Sequence, residues 1–428
     1  MSTLGQPKAE LSPIVASEQT AADRRFLRIV PIAFVTYSLA FLDRINYGFG
    51  AAGSMGRDLG MSEKDSAAVS ASFFLGYFLL QIPGASYASK QSAKRLIFWA
   101  LIFWGTLSGL TGLVSSVPAL LALRFLLGAV EGVVMPAMLV YLTHWFTRRE
   151  RSRANTFLIL GNPVTLLWGS AISGYLVQSF GWRAMFVMEG VPSIIWAFVW
   201  WRTTNDLPRQ SLWMSREESS ALERALESEQ TAISPVKHYS AAFRDPRVLL
   251  LCAQLFFWSV GLYGLVLWLP KMLTSASQLG IGKVGLLSAV PYLCGVLLMI
   301  GNSYLCDRSL KRQRFVWPYL FAAAVAFLMS YALGPQNFWP AYVCLVIAGG
   351  CLFAGYGPFF AIIPEIVPRN AAGESIALIN SLGALGGFVG TYFIGWLNAT
   401  TGSPTASFLA LSISLAAAGL CMLSVRSR

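Results

Sequence analysis

The chain has 428 residues, of which 55% are hydrophobic and only 12% are charged. Soluble domains carry about 25% charged residues, so this composition excludes an ordinary soluble enzyme, a disordered chain and a coiled coil. The net charge of +12 would indicate a nucleic-acid partner in a soluble protein. Here the positive charges lie in short loops between apolar stretches of about 20 residues, the length that crosses a membrane. The sequence therefore predicts a protein that crosses a membrane several times and does not bind nucleic acid.

Twelve apolar spans are predicted, and each is expected to be a helix because lipid cannot satisfy the backbone of an open strand. One long polar stretch, 204–246, separates six spans from six, and its segment 215–230 has the spacing of a short surface helix. The predicted fold is an all-α membrane protein with a tail over residues 1–26 and six-helix bundles over 27–203 and 247–428. The spans are predicted at residues 27–50, 66–88, 95–116, 119–146, 154–178, 184–203, 247–270, 283–306, 314–334, 339–364, 372–396 and 404–424.

Lysine and arginine are concentrated in the N-terminal tail, in every second loop, in the central stretch and at the C-terminus. Because positively charged loops stay in the cytoplasm, we expect both termini and the central loop to be cytoplasmic and the protein to lie in the plasma (inner) membrane. Residues 1–24 are polar, and the first apolar run is long and contains Asp43 and Arg44. No cleavable signal peptide is therefore predicted.

Residues for catalysis or metal binding are not apparent in the sequence. The six cysteines lie in or beside apolar stretches without metal-ligand spacing, and the chain has two histidines. No nucleophile–base pair and no phosphate-binding loop is recognised. We therefore predict no enzymatic activity, no cofactor and no bound metal, and we expect a monomer.

The two halves share a short repeat. GASYASK begins at Gly84, after the second span, and GNSYLCD begins at Gly301, after the eighth, and a basic cluster follows each copy. Equivalent positions in two six-span halves predict a duplicated architecture. In transporters built from parallel halves, the substrate site lies near the middle of the membrane between them.

Several strings resemble one family of transporters. Span one contains LDRIN from Leu42, span two YFLLQIPG from Tyr77, span four RFLLGAVEG from Arg124, span six FVMEG from Phe186 and span seven LWLP from Leu267. These strings resemble the major facilitator superfamily, and in particular its anion:cation symporters, whose members include hydroxyphenylacetate, galactonate, tartrate and rhamnonate types. The resemblance implies a twelve-helix fold, anion binding and proton coupling at the matching charged positions.

The chain departs from the family pattern in two places. The usual Gly-x-x-x-Asp-Arg-x-Gly-Arg-Arg loop lacks its Asp in the first copy, which has Lys90 nearby, whereas the second copy keeps Asp307 and Arg308. These three are the predicted gating residues, and it is left open whether the first loop forms the usual charge latch. Span five has Asn162 without the glycine-rich run of drug/proton antiporters, which favours import over export.

Four charged residues lie deep inside apolar spans: Asp43, Arg44, Arg124 and Glu131. A charge at the bilayer centre costs about 2.5–3.5 kcal/mol, so each is expected to face a partner or a water-filled cavity. Arg124 and Glu131 are seven residues apart, which places them on one helix face about 10 Å apart, with room for a small substrate between them. Asp43 and Arg44 point about 100° apart, so one is expected to face the cavity and the other a neighbouring helix.

Chemistry suggests a role for each of these groups. A guanidinium stays charged when dehydrated and can bind a carboxylate with two hydrogen bonds, so Arg44 and Arg124 are predicted to hold a substrate carboxylate. Asp43 and Glu131 are predicted to carry protons, because burial favours a neutral carboxyl group. The alternative is a structural salt-bridge cluster. Glu189, nearer the outer end of span six, is interpreted as a structural carboxylate.

Neutral residues complete the predicted substrate site. A sugar acid or a tartrate-like acid needs several hydrogen-bonding side chains, whereas an aromatic acid needs an apolar wall, and the sequence supports both. Hydrogen bonding between helices is the alternative role for the polar residues. The candidates are Tyr77, Gln81, Asn162, Tyr263 and Asn380 for hydrogen bonds and Phe41 and Phe360 for the wall.

Together these features predict a secondary transporter that imports a small organic carboxylate with protons by alternating access. Its partners would be the organic anion, protons and the lipid bilayer. Two alternatives stay open: an exporter or uniporter of the same fold, and a membrane sensor that binds a ligand without transporting it.

Overall fold

A computed structural model describes residues 13–231, 246–277, 279–307, 309, 312–366, 372–401 and 405–425. Over these residues the chain is helical almost throughout, and ten segments are long and apolar enough to cross a membrane. Two of the ten contain two spans each. Glu63–Thr111 is divided by a π-helical turn at Ala88–Ser92, and Arg153–Thr203 is interrupted at Gly181. The described part of the chain therefore agrees with the predicted twelve spans.

The membrane-spanning helices closely follow the predicted order, although the helix of span one already begins within the segment predicted as a tail. The residues before and after Gly181 in Arg148–Thr203 form spans five and six. A further helix, Arg216–Thr231, confirms the surface helix predicted over 215–230. The other spans are Pro13–Ala52, Glu63–Tyr87, Ala93–Thr111, Val117–Gly132 with Val134–Trp145, Pro246–Ser277, Ile281–Asp307, Trp317–Leu333, Phe338–Ala354 with Tyr356–Ile366, Ala372–Thr401 and Thr405–Ser424.

Local sequence explains where several helices begin and end. Span two starts with a capping box, in which Ser62 Oγ accepts a hydrogen bond from the Asp65 main-chain N–H at 3.1 Å and Asp65 accepts from the Ser62 main-chain N–H at 2.9 Å. Such caps contribute about 0.5–2 kcal/mol. The break between spans five and six falls at Gly181, whose φ of 80° is disfavoured for residues with a side chain.

Within the N-terminal half, spans two and four lie in main-chain contact. A Cβ atom on Gly128 would lie 1.9 Å from the Phe73 carbonyl oxygen, and one on Gly76 would lie 2.1 Å from the Phe125 carbonyl oxygen. Any side chain at either position would force the helices apart.

The halves meet at the ends of the spans opposite the chain termini, here called the far face; the side where span one begins and span twelve ends is called the terminal face. On the far face, Lys271 Nζ lies 2.5 Å from Glu63 Oε1. Gln178 Oε1 accepts a hydrogen bond from the Gly282 main-chain N–H at 2.9 Å. Small residues allow close packing across the same seam at the pairs Gly174–Gly285 and Ala67–Gly395.

Candidate functional site

A cavity of about 620 Å³, including its mouth, lies between the two halves and is lined from both. Spans one, two, four and five contribute one wall, and spans seven, ten and eleven contribute the other. Seven of the nine predicted substrate-binding residues line it. These are Arg44, Tyr77, Gln81, Asn162, Tyr263, Phe360 and Asn380.

Arg44 is the only charged side chain among the described residues that line the cavity. Its Nε donates a hydrogen bond to Glu131 Oε2 at 3.3 Å, while Nη2 is buried without a hydrogen-bond partner. The guanidinium carbon lies 4.5 Å from the ring centroid of Tyr77 and 4.7 Å from that of Phe41. Aromatic faces stabilise a cation but accept no strong hydrogen bond, so Arg44 keeps donor capacity for an anion.

Glu131 is fully buried behind Arg44, and its Oε1 has no hydrogen-bond partner. The preferred prediction places a substrate between Glu131 and Arg124, with a salt-bridge cluster as the alternative, and the structure pairs Glu131 with Arg44. Span one instead fills the space between the two charges of span four. Arg44 pairs with the Glu131 carboxylate, and Arg124 donates a hydrogen bond to the main-chain oxygen of Asp43.

Arg124 does not line the cavity. It is 1% exposed, and its Nη1 donates to the Asp43 main-chain oxygen at 3.2 Å. Its guanidinium carbon lies 4.9 Å from the Tyr47 ring centroid and 5.2 Å from that of Phe73. In this conformation Arg124 therefore ties span four to span one. Phe41, predicted as part of the apolar wall, likewise lies behind Arg44 and outside the lining.

Asp43 points away from the cavity towards span three. Its Oδ1 accepts hydrogen bonds from Ser108 Oγ at 2.5 Å and from Asn46 Nδ2 at 2.9 Å, while Oδ2 has no partner. Thus one of the adjacent charged residues faces the cavity and the other faces a neighbouring helix, as the 100° rotation between them predicted. Asp43 and Glu131 are both buried and do not line the cavity.

Sequence reasoning missed nine residues of the lining, although helical spacing marks several of them. Tyr37 precedes Arg44 by seven residues, which is two turns on one face. Phe74 lies three residues before Tyr77 and Tyr356 four before Phe360, both spacings that keep side chains on one face. The missed residues are Tyr37, Phe74, Met135, Ile159, Leu255, Ser259, Tyr356, Gly383 and Ala384.

Lys90 and the main chain of Asp307, two of the three predicted gating residues, lie on the terminal face, away from the cavity. Lys90 is exposed in the π-helical turn between spans two and three. Asp307 ends the helix of span eight, but its side chain and all of Arg308 lie outside the described residues. In the first loop, Asp206 accepts hydrogen bonds from Ser92 Oγ at 2.5 Å and from the Lys94 main-chain N–H at 2.8 Å. Asp206, from the central segment, thus binds to the first loop, which lacks the aspartate of the family pattern.

Metal binding has no evident place in this part of the molecule. Among the described residues, no three His, Cys, Asp or Glu side chains are grouped so as to hold a metal ion. The described lining of the cavity supplies one guanidinium, aromatic rings and neutral hydrogen-bonding side chains.

Comparison with known proteins shows which family has this architecture. A protein of Agrobacterium vitis provisionally named a tartrate transporter is 34% identical over 384 residues, covering 88% of each chain. The quinolone resistance transporter of Acinetobacter baumannii is 30% identical over 403 residues, covering 90% of each chain. The xylose transporter XylE from E. coli, solved in an inward-open conformation, shares the fold with a TM-score of 0.76 at 15% identity, over 94% of this chain and 97% of that one. The family model described as Major Facilitator Superfamily matches residues 33–391, and the chain therefore belongs to this superfamily of membrane transporters.

Proposed function

We propose that the protein imports a small organic carboxylate together with protons. The observation that carries the proposal is Arg44, a lone cation in the cavity wall with an unpartnered Nη2 and a carboxylate partner behind it. A buried guanidinium of this kind is suited to receive one carboxylate. The sugar-acid, tartrate-like and hydroxyphenylacetate-like acids all carry that group.

The lining favours an aromatic monocarboxylate among these acids. Six aromatic rings line the cavity, and a single guanidinium faces them. A dicarboxylate such as tartrate would bring a second negative charge into a wall whose other polar groups are neutral, which is costly away from water. The neutral hydrogen-bonding groups of the lining can bind hydroxyl substituents of the acid. They are Gln81, Asn162, Ser259, Asn380 and the hydroxyl groups of Tyr37, Tyr77, Tyr263 and Tyr356.

Competition for Arg44 would couple the substrate to protons. While Glu131 is ionised, its carboxylate occupies the guanidinium at 3.3 Å. A proton on Glu131 removes that charge, and Arg44 is then free to pair with the substrate carboxylate. Anion and proton would thus enter together, because a buried guanidinium without a negative partner, or a buried carboxylate without a positive one, is unfavourable. Asp43 is the second proposed proton carrier, on the other side of span one.

Alternating access would expose the cavity to each side in turn. With the positive loops in the cytoplasm, the terminal face is cytoplasmic and the far face is external. The contact between Lys271 and Glu63 on the far face then closes the external side. This arrangement corresponds to the state that releases substrate inward. We further propose a monomer in the plasma membrane, with Lys90, Asp307 and Arg308 acting during the change of state.

Transport by purified protein in liposomes tests the proposal. The panel consists of 4-hydroxyphenylacetate, tartrate, galactonate and a neutral sugar, each offered with and without an inward proton gradient. Accumulation of the aromatic acid, lost when the gradient is collapsed, is expected. Uptake of the neutral sugar alone would refute carboxylate binding by Arg44. Gradient-driven accumulation of tartrate in preference to the aromatic acid would be consistent with proton symport but would refute an aromatic monocarboxylate as the substrate.

Export is a second candidate function, because one relative is named a quinolone resistance transporter. An exporter of this fold would exchange its cargo for protons. The same liposomes distinguish the two directions: a symporter moves acid along the imposed proton gradient, whereas an exchanger moves cargo against it. Expulsion of preloaded acid when protons enter would support the exporter.

A further inference from the structure

Glu189 is a second buried carboxyl group of the N-terminal half that the cavity does not use. It lies in span six and is 3% exposed. Its Oε1 accepts a hydrogen bond from Ser173 Oγ of span five at 2.7 Å, and its Oε2 is buried without a partner. One hydroxyl donor is a weak counterpart for a negative charge in a membrane interior.

No cation compensates Glu189 within the described residues, which distinguishes it from Glu131. Glu131 pairs with Arg44, whereas Glu189 accepts a hydrogen bond from the Ser173 hydroxyl. The charged group that acts on Glu189 is Asp43 of span one, and Asp43 in turn faces Arg124 of span four. Spans three and five contribute only hydroxyl groups to this cluster, from Ser108 and Ser173.

Asp43 and Asn46 of span one are the neighbours that act on Glu189 electrostatically. Asn46 Nδ2 donates to Asp43 Oδ1 at 2.9 Å, and both residues influence the Glu189 carboxyl group. Adding or removing a proton at one carboxyl group therefore changes the charge felt by the other. Two interacting carboxyl groups in an apolar environment cannot both be ionised without a large cost.

We propose that Glu189 is a proton-carrying residue of the transport cycle, forming with Asp43 an acid pair separate from the substrate cavity. This inference rests on proton symport as the proposed function. In the conformation described here, Oε2 of Glu189 holds the proton. In the opposite conformation, the proton is exchanged with water as the packing around spans one, five and six changes. The pair would carry a proton in addition to the one that binds to Glu131.

The matched variants are Glu189→Gln and Ser193→Ala. Glutamine keeps the size of the side chain and an oxygen that can accept from Ser173, so a purely structural role predicts wild-type behaviour. Ser193 lies one turn further along span six, is fully buried, and carries an unpartnered hydroxyl, so its loss controls for disturbance of the same helix. Glu189→Asp restores a titratable group and tests for rescue.

The first measurement is the infrared absorption of protonated carboxyl groups in the purified wild-type protein and its variants, recorded as the pH is changed. A titrating band that disappears in Glu189→Gln and persists in Ser193→Ala is expected. If every titrating band of the wild-type protein persists in Glu189→Gln, the inference is overturned. This readout does not depend on which acid is transported.

The second measurement is accumulation of 4-hydroxyphenylacetate in liposomes under a proton gradient, beside exchange at equilibrium without one. Each coupled proton contributes a factor of about ten per pH unit, so Glu189→Gln should lower the accumulation ratio about tenfold while exchange persists. Unchanged accumulation in Glu189→Gln would refute the role of Glu189. Equal loss of exchange and accumulation without rescue by Glu189→Asp would show that the substitution disturbs the fold and would count against a proton-carrying role. Absence of gradient-driven uptake in the wild type would instead refute proton symport itself.

Discussion

The two six-helix halves of this fold differ in the chemistry that they bury. Among the described residues, the buried charged side chains all belong to the N-terminal half: Arg25, Asp43, Arg44, Arg124, Glu131 and Glu189. The described buried polar groups of the C-terminal half are neutral, such as Gln254, Ser259 and Asn302. Each half thus has six spans, whereas buried charge among the described residues is confined to one half.

This asymmetry separates two tasks. A charge inside a membrane is tolerated only with compensation, so gathering the charges in one bundle lets them compensate one another through fixed contacts. The other bundle can then change its side chains without disturbing ion pairs. We expect the N-terminal wall to control anion and proton binding and the C-terminal wall to control which acid fits.

The largest effect is expected for Arg44→Ala, which removes the single cation of the cavity wall. Truncating one partner of a buried charged pair costs about 2–5 kcal/mol, so substrate affinity should fall by at least about 30-fold. Substrate binding to purified protein measures this. Arg44→Lys keeps the charge without the planar donor fork and should recover only part of the affinity. Wild-type affinity in Arg44→Ala would show that the anion does not bind at Arg44.

Next in size is Glu131→Gln, which removes the carboxylate that competes for Arg44. Exchange of substrate at equilibrium should persist, because the neutral amide leaves Arg44 available. Accumulation under a gradient of one pH unit should fall about tenfold, the factor carried by one proton. Liposome uptake measured in both modes separates these outcomes. Full accumulation in this variant would contradict the coupling role of Glu131.

Arg124→Gln removes a buried charge that does not line the cavity. Because Arg124 holds the Asp43 main chain at 3.2 Å and does not line the cavity, the variant should lower the maximal transport rate and the thermal stability more than the apparent substrate affinity. Kinetics and thermal unfolding in detergent measure the two effects. A rise in KM with unchanged transport rate and thermal stability would instead support the predicted contact between Arg124 and the substrate.

The C-terminal wall is tested by Phe360→Ala. Aromatic contacts contribute about 0.5–1.5 kcal/mol beyond buried area, so KM for an aromatic acid should rise about three- to tenfold with proton coupling intact. The matched control is Phe408→Ala, an aromatic residue of span twelve that packs against the core of the same half and does not line the cavity. A coupling defect in Phe360→Ala would show that the halves do not divide the tasks.

The smallest effect is expected at the far-face pair. Lys271 and Glu63 are more than a third exposed, and exposed ion pairs contribute about 0.2–1 kcal/mol. Lys271→Gln should therefore shift the conformational equilibrium less than about fivefold towards the outward-open state. Spin labels at Arg57→Cys and Ser275→Cys, one on each half, report the change in distance. The swap Lys271→Glu with Glu63→Lys should restore the wild-type distribution.

The helices and the buried charges were predictable for a simple reason. Spans of about 20 apolar residues and the rarity of charge within them are local properties of the chain. Helical periodicity also predicted that Asp43 and Arg44 face different surroundings. The same periodicity marks Tyr37 and Phe74 as neighbours of known cavity residues, so part of what was missed could have been found.

What the amino-acid sequence by itself determined is the set of helices, the order of spans and the identity of the residues that carry charge, because each follows from composition and spacing along the chain. Only the tertiary structure decided which charges meet. Arg44 of span one reaches Glu131 of span four, and the glycines at 76 and 128 let spans two and four pack closely. Arg124 donates to the Asp43 main chain, and Glu189 accepts from Ser173. These pairings depend on helix rotation and separation between segments distant in sequence, which no pattern within a single helix specifies.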